Sequence, residues 1–566
     1  MGDKVRKFRV SSRKAFVGLT TAALAVTTLS IGATTAGFQS TSYARAELAT
    51  EATVATPPVY NDQSAGSVLF INRFGELFLG GDRRSGNGAG AGNTAPTADP
   101  TKVEFPDGVK IVDAGGSTND FHWNNVATGY SAIDTEGRVW TWGQVYPGGT
   151  RGIELMGRGN ISLQASYTPG QVVTTAEGTP LPKIIDLQRS ENQTYALDET
   201  GTMWVWGYGG ENLPVSASYY SGNGAALPTR ANTTAVQNGM GDCRADRNPA
   251  NHGGDVTWHT IWGGNNSSGG VSTSGLIYTW GYDASNGIAQ QQWSQRCPQL
   301  NEGANRVLFE QYPDLYRTAD GKTYDPAELT TEALRNERYS EIVAHMTQQP
   351  LAQCATPTAK SIVDATECPV RQFGYSARAG RLLLQNGSLY TWMISNDQTY
   401  GYYFLGREGS TNQNDLNSRF RPNLALSNVN FTSPQVGSVS ALTHDGKVYG
   451  WGRNNYCQAV GERTVGSADC GSNAGNDFVI LPRPVAGIPQ DATITGLSSN
   501  QCTTWARSDL GTMWAWGGGT MVSNNYVFCG TTGSAYGIYD QRKSTLQAPF
   551  GAPVRSVSTG TMPILD

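Results

Sequence analysis

The sequence predicts an all-β fold, a seven-bladed β-propeller built from four-stranded antiparallel blades. Three observations predict it: a short aromatic phrase recurs seven times, each copy ends a series of β-prone segments, and the two ends of the chain carry complementary partial units. A phrase that recurs along the chain indicates one supersecondary unit used many times. Small sheets of this kind bury their faces by packing side by side around a central axis.

The repeated phrase begins with glycine and, in its clearest copies, ends with Trp-Gly. The leading glycines follow one another at similar intervals, except between Gly275 and Gly387, where a much longer interval indicates an insertion. The copies are GELFLGG from Gly75, GRVWTWG from Gly137, GTMWVWG from Gly201, GLIYTWG from Gly275, GSLYTWM from Gly387, GKVYGWG from Gly446 and GTMWAWG from Gly511.

The copy that ends at Gly207 illustrates one unit. Residues 184–188, 193–199 and 202–207 are three runs rich in β-branched and aromatic residues, which favour strands. The last two runs are separated by Asp-Glu-Thr-Gly, a tight-turn signal in which glycine supplies the positive φ. A fourth, more variable run often contains proline, as in residues 483–485, and proline is typical of an edge strand.

One tryptophan position recurs in the third strand of the units. A ring of this size buries about 200 Å² when it packs between neighbouring sheets. A carbohydrate-binding stripe is the alternative interpretation, and we favour the core between blades. The predicted core tryptophans are Trp142, Trp206, Trp280, Trp392, Trp451 and Trp516.

The chain ends predict how the ring closes. Residues 67–72 match the second strand of a unit but have no first strand before them, whereas residues 554–560 match a first strand with no successor. We therefore expect the C-terminal strand to join the first blade, which leaves no open sheet edge between the first and last blades.

These motifs resemble the regulator of chromosome condensation repeat family, whose unit carries the phrase ALxxDGxVYxWGxNxxGQLG. The best match is SALTHDGKVYGWGRNNYCQAVG, residues 440–461, followed by YALDETGTMWVWG from Tyr195. The resemblance spans about residues 67–560 and implies a seven-bladed propeller. Known members include a nuclear nucleotide-exchange factor that contacts nucleosomes, and secreted bacterial proteins such as a β-lactamase inhibitor. The chain resembles the secreted members, because no residues match the exchange or nucleosome roles.

Residues 1–46 read as a secretory signal peptide. Six Lys and Arg residues precede an uncharged stretch, 15–37, and Ala44-Arg45-Ala46 matches a cleavage site. An uncleaved membrane anchor is the alternative. Residues 47–66 form a linker and residues 67–566 the propeller. We expect the exported chain to be secreted or held at the cell envelope, with no stable membrane span after signal removal.

Cleavage changes the charge of the chain. Seven of the 41 Lys and Arg residues and one of the 46 Asp and Glu residues lie in the signal, so 34 basic and 45 acidic residues remain. An acidic chain lacks the basic surface that nucleic acid requires. We expect no nucleic acid partner, and a monomer that binds an exported or surface protein.

The cysteines agree with export, because all eight follow the signal and an even number permits full pairing. Their spacing contains no C-x-x-C pair, which disfavours a metal site. Pairing of sequence neighbours predicts the disulfides Cys243–Cys297, Cys354–Cys368, Cys457–Cys470 and Cys502–Cys529.

Two insertions interrupt the repeats, at about 208–256 and 297–368. The second contains the one clear helix signal, residues 325–346, with Asp325 as its cap and Leu334 and Ile342 on one face. Such insertions are either binding elements or a lid without a binding role. Loop tyrosines are candidate anchors for a partner. They are Tyr219, Tyr220, Tyr400, Tyr402 and Tyr403.

Catalytic signatures are absent from the sequence. His444 and Asp445 fall in a predicted hairpin turn, and the glycine-rich run 86–92 lacks the strand and helix of a phosphate loop. We therefore predict a non-enzymatic scaffold that binds a protein through propeller-face loops and needs no cofactor or metal. The alternatives are a polysaccharide-active enzyme with paired carboxylates at the ring axis, and an inhibitor of a secreted hydrolase such as a β-lactamase. Intracellular nucleotide exchange would require that residues 1–46 are not a signal.

Overall fold

The structure is a computed structural model that describes the greater part of the repeat region. Residues 1–66, which hold the predicted signal and linker, lie outside the described residues. The described residues are 67–72, 74–81, 97–118, 128–144, 153–189, 193–207, 224–231, 256–263, 267–281, 295–356, 368–375, 379–393, 401–408, 420–434, 438–454, 457–462, 464, 477–499, 503–509, 513–517, 539–540 and 554–558.

The described strands form seven four-stranded sheets, numbered here in chain order. Sheets 1 and 2 contain β1 (Ser67–Asn72), β2 (Leu77–Gly81), β3 (Thr97–Lys102), β4 (Ile111–Thr118), β5 (Thr128–Asp134), β6 (Val139–Gln144) and β7 (Gly170–Val172). Sheets 3 and 4 contain β8 (Ile184–Arg189), β9 (Gln193–Asp198), β10 (Met203–Gly207), β11 (Ala225–Arg230), β12 (Trp258–Trp262), β13 (Ser267–Ser272), β14 (Ile277–Gly281) and β15 (Gln295–Leu300).

The remaining strands complete sheets 5, 6 and 7. They are β16 (Val370–Tyr375), β17 (Ala379–Leu384), β18 (Leu389–Met393), β19 (Asn423–Leu426), β20 (Val429–Pro434), β21 (Ser438–Thr443), β22 (Val448–Arg453), β23 (Phe478–Pro484), β24 (Ile494–Ser499), β25 (Thr503–Ser508), β26 (Met513–Gly517) and β27 (Tyr539–Asp540). The last strand, β28 (Val554–Ser558), pairs with β1 and is the first strand of sheet 1.

The prediction of an all-β fold with four-stranded antiparallel blades is confirmed, because every pair of neighbouring strands in the sheets is antiparallel. The number of blades in the ring and its closure stay predictions. The pairing of Leu69 with Ser558 and of Phe70 with Val557 supports closure, because it supplies sheet 1 with the strand that the N-terminal end lacks.

Each sheet is joined to the next at the turn between its second and third strands. The carbonyl of the leading glycine accepts a hydrogen bond from the first residue of the next sheet's first strand. At Gly137, Gly201 and Gly446 the donors are the amides of Ile184, Trp258 and Ile494, at 2.9, 2.8 and 3.0 Å. Gly75 and Gly387 make the same bond to the two sheets that follow them. Five of the six boundaries between consecutive sheets are fixed in this way.

Glycine is required at these turns for two reasons. Gly137 and Gly201 have φ angles of 78° and 84°, in the left-handed region that other residues rarely adopt. A Cβ atom would also lie 2.9 Å from the carbonyl oxygen of Ile184 or Trp258 in the next sheet. The leading glycines of the repeated phrase are therefore the points at which adjacent sheets make backbone contact.

A carboxylate closes the turn in sheets 2 and 3. The Oδ1 atom of Asp198 accepts from the amides of Thr200 and Thr202, and its Oδ2 atom accepts from Nε1 of Trp204 at 2.9 Å. Asp134 makes the same bonds within its own turn. The aspartate thus ties the turn to the third strand.

The six predicted core tryptophans are all fully buried, with 0 % of their surface exposed. Trp280 meets Tyr195 of the preceding sheet at a ring distance of 5.8 Å. Burial of such rings between sheets supplies much of the hydrophobic stabilisation of the fold. Trp258 and Trp262, in the first strand of sheet 4, are buried as well and were not predicted from the repeated phrase.

The helical insertion differs from the prediction. It holds two helices, α2 (Glu302–Gln311) and α3 (Glu332–Gln348), and not one; a short helix, α1 (Leu163–Ser166), lies earlier in the chain. Thr331, and not Asp325, caps α3, because the Thr331 hydroxyl accepts from the amide of Leu334. Asp325 instead caps a separate turn before it. Ile342 is buried, but Leu334 is 42 % exposed, so the two do not share a buried face.

The insertion is built into the boundary between sheets 4 and 5. Its residues belong to one hydrophobic core with sheets 3, 4 and 5. At this boundary the Gly275 carbonyl accepts from the hydroxyl of Tyr316, at 2.7 Å. The Asn305 side chain bonds both backbone groups of Ile277, and Tyr312 accepts from the amide of Asn386 in sheet 5. The insertion is therefore a wedge that joins two sheets, which argues against a detachable lid.

The range predicted as the first insertion, 208–256, is also not a single insertion. It contains β11, which pairs with β10 as the fourth strand of sheet 3. The strand was missed because its sequence, AALPTR, has no aromatic residue, contains a proline and holds a single β-branched residue, Thr229. The range therefore divides into two connections, 208–224 and 231–257, that leave β11 at opposite ends.

We predict that Tyr316→Phe destabilises the protein by about 1–3 kcal/mol, because it leaves the buried carbonyl of Gly275 without a donor. Thermal and urea unfolding of the purified chain measure the loss. Tyr312→Phe is the matched control, since its hydroxyl bonds an exposed amide that water can serve. Equal losses for the two variants would contradict a special role for the Tyr316 hydroxyl.

Candidate functional site

The two ends of the sheets, at which the strands are connected, differ in the length of their connections. All sheets run in the same sense, because the inter-sheet bonds join the same turn to the same strand start at five boundaries. One end, the turn face, carries the tight turns between second and third strands and the connections between sheets. The other end, the loop face, carries the connections between third and fourth strands. All seven of these connections are long, from the shortest, 282–294, to the longest, 394–422.

The candidate tyrosines all fall in loop-face connections. Tyr219 and Tyr220 belong to the connection 208–224 of sheet 3, and Tyr400, Tyr402 and Tyr403 belong to the connection 394–422 of sheet 5. Tyr219, Tyr220 and Tyr400 lie outside the described residues. Of the five tyrosines, the structure describes Tyr402 and Tyr403, in the 3-10 helix Gly401–Leu405 of the second connection, and the placement of the other three stays a prediction.

The helical insertion lies on the opposite face. It follows the fourth strand of sheet 4 and leads to the first strand of sheet 5, so it belongs to the turn face. From the sequence alone, the insertion and the tyrosine loops could have formed one contact surface. The described 3-10 helix with Tyr402 and Tyr403 and the helical insertion lie at opposite ends of the sheets, which separates these two elements.

Tyr403 is part of a packed loop-face element. It lies in the 3-10 helix Gly401–Leu405 and stacks on Phe478 of β23, with ring centroids 3.8 Å apart. In the same turn the Phe404 carbonyl accepts from Nε1 of Trp451 in the next sheet, at 2.9 Å, and the Leu405 carbonyl accepts from the hydroxyl of Thr391. Tyr403 therefore supports the loop face by packing within the fold.

A second loop-face turn repeats this arrangement between sheets 2 and 3. The 3-10 helix Glu154–Met156 presents the Leu155 carbonyl to Nε1 of Trp206 at 3.1 Å, and the Met156 carbonyl to the hydroxyl of Thr141 at 2.6 Å. Each turn ends in a glycine with positive φ, Gly157 or Gly406, where a Cβ atom would clash with the tryptophan ring. The core tryptophans thus fix the bases of two loop-face connections.

The innermost strands of sheets 2 and 3 hold a buried polar cluster. Arg189 donates from Nε to the Ser131 hydroxyl at 2.6 Å and from Nη2 to the Ser131 carbonyl at 2.8 Å. Its Nη2 atom lies 3.7 Å from Oδ2 of Asp113, and both side chains are almost fully buried. Gly115 leaves room for this arginine, because a Cβ atom there would lie 2.6 Å from Nη1 of Arg189.

The carboxylates of these inner strands test the alternative that the protein is a polysaccharide-active enzyme with paired carboxylates at the ring axis. Asp113 is paired with Arg189, and Asp186 accepts from the side-chain amide of Gln188 at 3.0 Å. Both carboxylates are at most 2 % exposed, so neither is open to a polysaccharide. Glu154 is another buried carboxyl group, and burial raises its pKa, but it lies in a loop-face connection. Among the described residues these inner carboxylates serve packing and charge pairing.

The structure describes one of the four predicted disulfides completely and part of a second. Cys354 and Cys368 are joined, and their bond closes the end of the helical insertion. Cys457 is also disulfide-bonded, in the loop-face connection 454–477, but Cys470 lies outside the described residues. So do Cys243, Cys502 and Cys529. The other three pairings therefore stay predictions.

The disulfide of the insertion is anchored next to sheet 4. After Cys354, the Ala355 carbonyl accepts from Nδ1 of His259 at 2.9 Å, and the Thr356 hydroxyl donates to the Trp258 carbonyl at 2.8 Å. The insertion therefore returns to the start of β12 before it leads on to sheet 5.

Neither a metal cluster nor a membrane-spanning helix is found in the part of the chain that the structure describes. Those residues hold no group of three or more His, Cys, Asp or Glu side chains that could bind a metal ion. Within the same ranges no helix is both long and apolar enough to cross a membrane.

The buried polar cluster was not predicted, although the sequence carries a signal for it. Arg189 directly follows the predicted run 184–188, and Gly115 and Gly116 lie in the preceding repeat. A charged residue in a buried strand next to glycines in another repeat indicates a long side chain that crosses between sheets.

Comparison with solved structures identifies the fold. Prp20p from Saccharomyces cerevisiae is 14 % identical, with a TM-score of 0.50 over 90 % of this chain and 93 % of that one. Yeast RCC1 (Prp20) bound to Kap60 is 15 % identical, with a TM-score of 0.46 over 83 % and 84 %. Human WBSCR16 is 12 % identical, with a TM-score of 0.43 over 78 % and 85 %. No protein-family model matches the sequence, and no curated protein matches it.

The likeness to Prp20p is one of fold alone, because the identity is low. It agrees with the resemblance of the repeated phrase to the regulator of chromosome condensation repeat, and the chain shares the propeller fold of those proteins. The secreted bacterial branch of that resemblance stays a prediction.

We predict that replacing Cys354 and Cys368 together by serine lowers stability by about 3 kcal/mol, because the bond closes a loop of 14 residues in the unfolded chain. Thermal unfolding measures the loss, and the same measurement on wild-type protein with dithiothreitol should give at least as large a decrease. Unchanged unfolding of the double variant would show that the bond does not hold the insertion in place.

Proposed function

We propose that this chain is a secreted, non-enzymatic scaffold that binds an exported or surface protein through its loop face. The observation that carries the proposal is the concentration of seven long connections at one end of sheets whose boundaries are fixed by backbone bonds and buried rings. Long loops on a rigid support are the usual location of binding residues. Exposed tyrosines supply contact area to such sites at little entropic cost.

A fold neighbour supports a binding role. Prp20p is described by its binding to Gsp1p and histones. Those partners are not assigned to this chain, because its predicted export and its acidic charge favour a different class of partner protein. An exported hydrolase is one partner of this kind, so a hydrolase inhibitor is a special case of the proposal.

The carboxylates of the inner strands support the non-enzymatic part of the proposal. A glycosidase needs two carboxyl groups about 5–10 Å apart and open to the substrate. Asp113 and Asp186 are buried and engaged within the fold. This observation favours binding over polysaccharide hydrolysis.

We predict that a photo-reactive amino acid at position 219 or 402 crosslinks one exported protein in cultures of the producing cell. Position 337, exposed on α3 of the turn face, is the matched control and should give no such product. Mass spectrometry identifies the product, and Tyr219→Ser with Tyr402→Ser should weaken capture by about 10-fold or more if the tyrosines are anchors. Crosslinking from position 337 alone would overturn the loop-face proposal.

We also predict that the chain recovered from culture supernatant or cell envelope begins at Glu47. N-terminal sequencing of this material tests the cleavage after Ala46, and Ala44→Arg with Ala46→Arg should block it, because the site requires small residues. A chain that keeps Met1 and stays in the cytoplasm would contradict export.

A further inference from the structure

A second buried arginine lies between the inner strands of sheets 5 and 6. Arg381 is in β17, with 3 % of its surface exposed. Its Nε atom donates to the hydroxyl of Thr432, in the first strand of sheet 6, at 3.2 Å. Its Nη1 and Nη2 atoms are buried and make no hydrogen bond to the described residues. Most of the hydrogen-bonding capacity of this guanidinium is therefore unused within the described part of the chain.

A comparison with Arg189 shows that Arg381 lacks a carboxylate neighbour among the described residues. Arg189 is similarly buried, but it bonds two atoms of Ser131 and lies 3.7 Å from the carboxylate of Asp113. Asp113 stands directly after the bulge in the first strand of sheet 2, and the corresponding residue of sheet 5 is Gln372. The inner strand of sheet 5 thus has a neutral amide at the position where sheet 2 has the counter-ion.

Gln372 does not compensate for the missing charge. Its Oε1 atom accepts from the amide and hydroxyl of Thr432, and its Nε2 atom donates to the Thr432 carbonyl. Both the oxygen and the nitrogen of this amide thus bond Thr432 and join the two inner strands. The short connections nearest to this site in the chain, 376–378 and 435–437, contain no acidic residue.

An unpaired guanidinium is costly at this depth. Burial lowers the pKa of Arg381 to about 9, and no charge among the described residues opposes the effect. The group is still protonated at neutral pH, because this pKa lies well above neutrality. A buried charge of this kind is normally balanced by an ion of opposite sign.

We propose that Arg381 anchors a buried site for a small monovalent anion, with chloride as the simplest member, between the inner strands of sheets 5 and 6. The unused Nη1 and Nη2 atoms are the donors. Gly374 borders the site, because a Cβ atom there would lie 3.1 Å from Nη2. The depth of burial favours a halide over a large oxyanion or a side chain of another protein.

The first test measures the midpoint of thermal unfolding of the exported chain in chloride and in gluconate at equal ionic strength. Chloride should raise the wild-type midpoint by about 2 °C when its concentration reaches about 100 times the dissociation constant. Arg381→Met, which keeps the length and removes the charge, should abolish this specific difference.

Arg189→Met is the matched control. It also removes a buried guanidinium, but one that already has a carboxylate neighbour. This variant should be less stable than the wild type and should keep the full chloride effect. Loss of the chloride effect in Arg189→Met, or its persistence in Arg381→Met, would overturn the proposal.

A second measurement keeps the proposal testable if Arg381→Met does not fold. Crystals of the wild-type chain grown in bromide should show an anomalous peak within about 3.5 Å of Nη1 or Nη2, the reach of a charge-assisted contact. A full-occupancy peak there would support the site. Its absence at bromide concentrations that saturate the solution effect would refute it.

Discussion

The bond between a turn glycine and the next sheet is the constraint on which the rest of the structure depends. At Gly137 and Gly201 the left-handed turn directs the glycine carbonyl out of its own sheet. The first strand of the following sheet approaches this carbonyl closely, because glycine has no side chain between them. The bond sets the distance and direction between neighbouring sheets. The buried tryptophans then pack in a gap whose width is already defined, and the long connections collect at the other end. The binding proposed for the loop face therefore depends on geometry that is fixed at the turn face.

Sequence reasoning succeeded where a feature repeats. Glycine and tryptophan recur at equivalent places because each sheet meets its neighbour in the same way, so the roles of Gly201 and Trp206 could be interpreted from the repeated phrase. It failed where the contact occurs once. The start of α3 at Glu332 and the strand β11 depend on tertiary packing, which overrides weak local preferences. The placement of Tyr403 and of the helical insertion at opposite ends of the sheets depends on strand direction, which residue types do not encode.

The candidate sites divide in the same manner. The loop-face tyrosines could be singled out by residue type, yet Tyr403 proves to be partly a packing residue against Phe478. Arg189 and Arg381 could not be distinguished in the sequence, because both are arginines in strands of otherwise similar character. The structure separates them: Arg189 lies beside Asp113, whereas the sheet that contains Arg381 has Gln372 at the position equivalent to Asp113. Charge balance in this fold is a property of neighbouring repeats and not of any single one.

The hydrogen bond of the Tyr316 hydroxyl shows how a long segment is accommodated at the boundary of sheets 4 and 5. At five other boundaries between consecutive sheets, the first residue of the strand that follows donates to the glycine carbonyl. At Gly275 a side chain from the added segment, which spans 301–369 between β15 and β16, meets the carbonyl instead. A segment of this length can therefore stand between two sheets without loss of the contact at their boundary, because it brings its own hydrogen-bond donor.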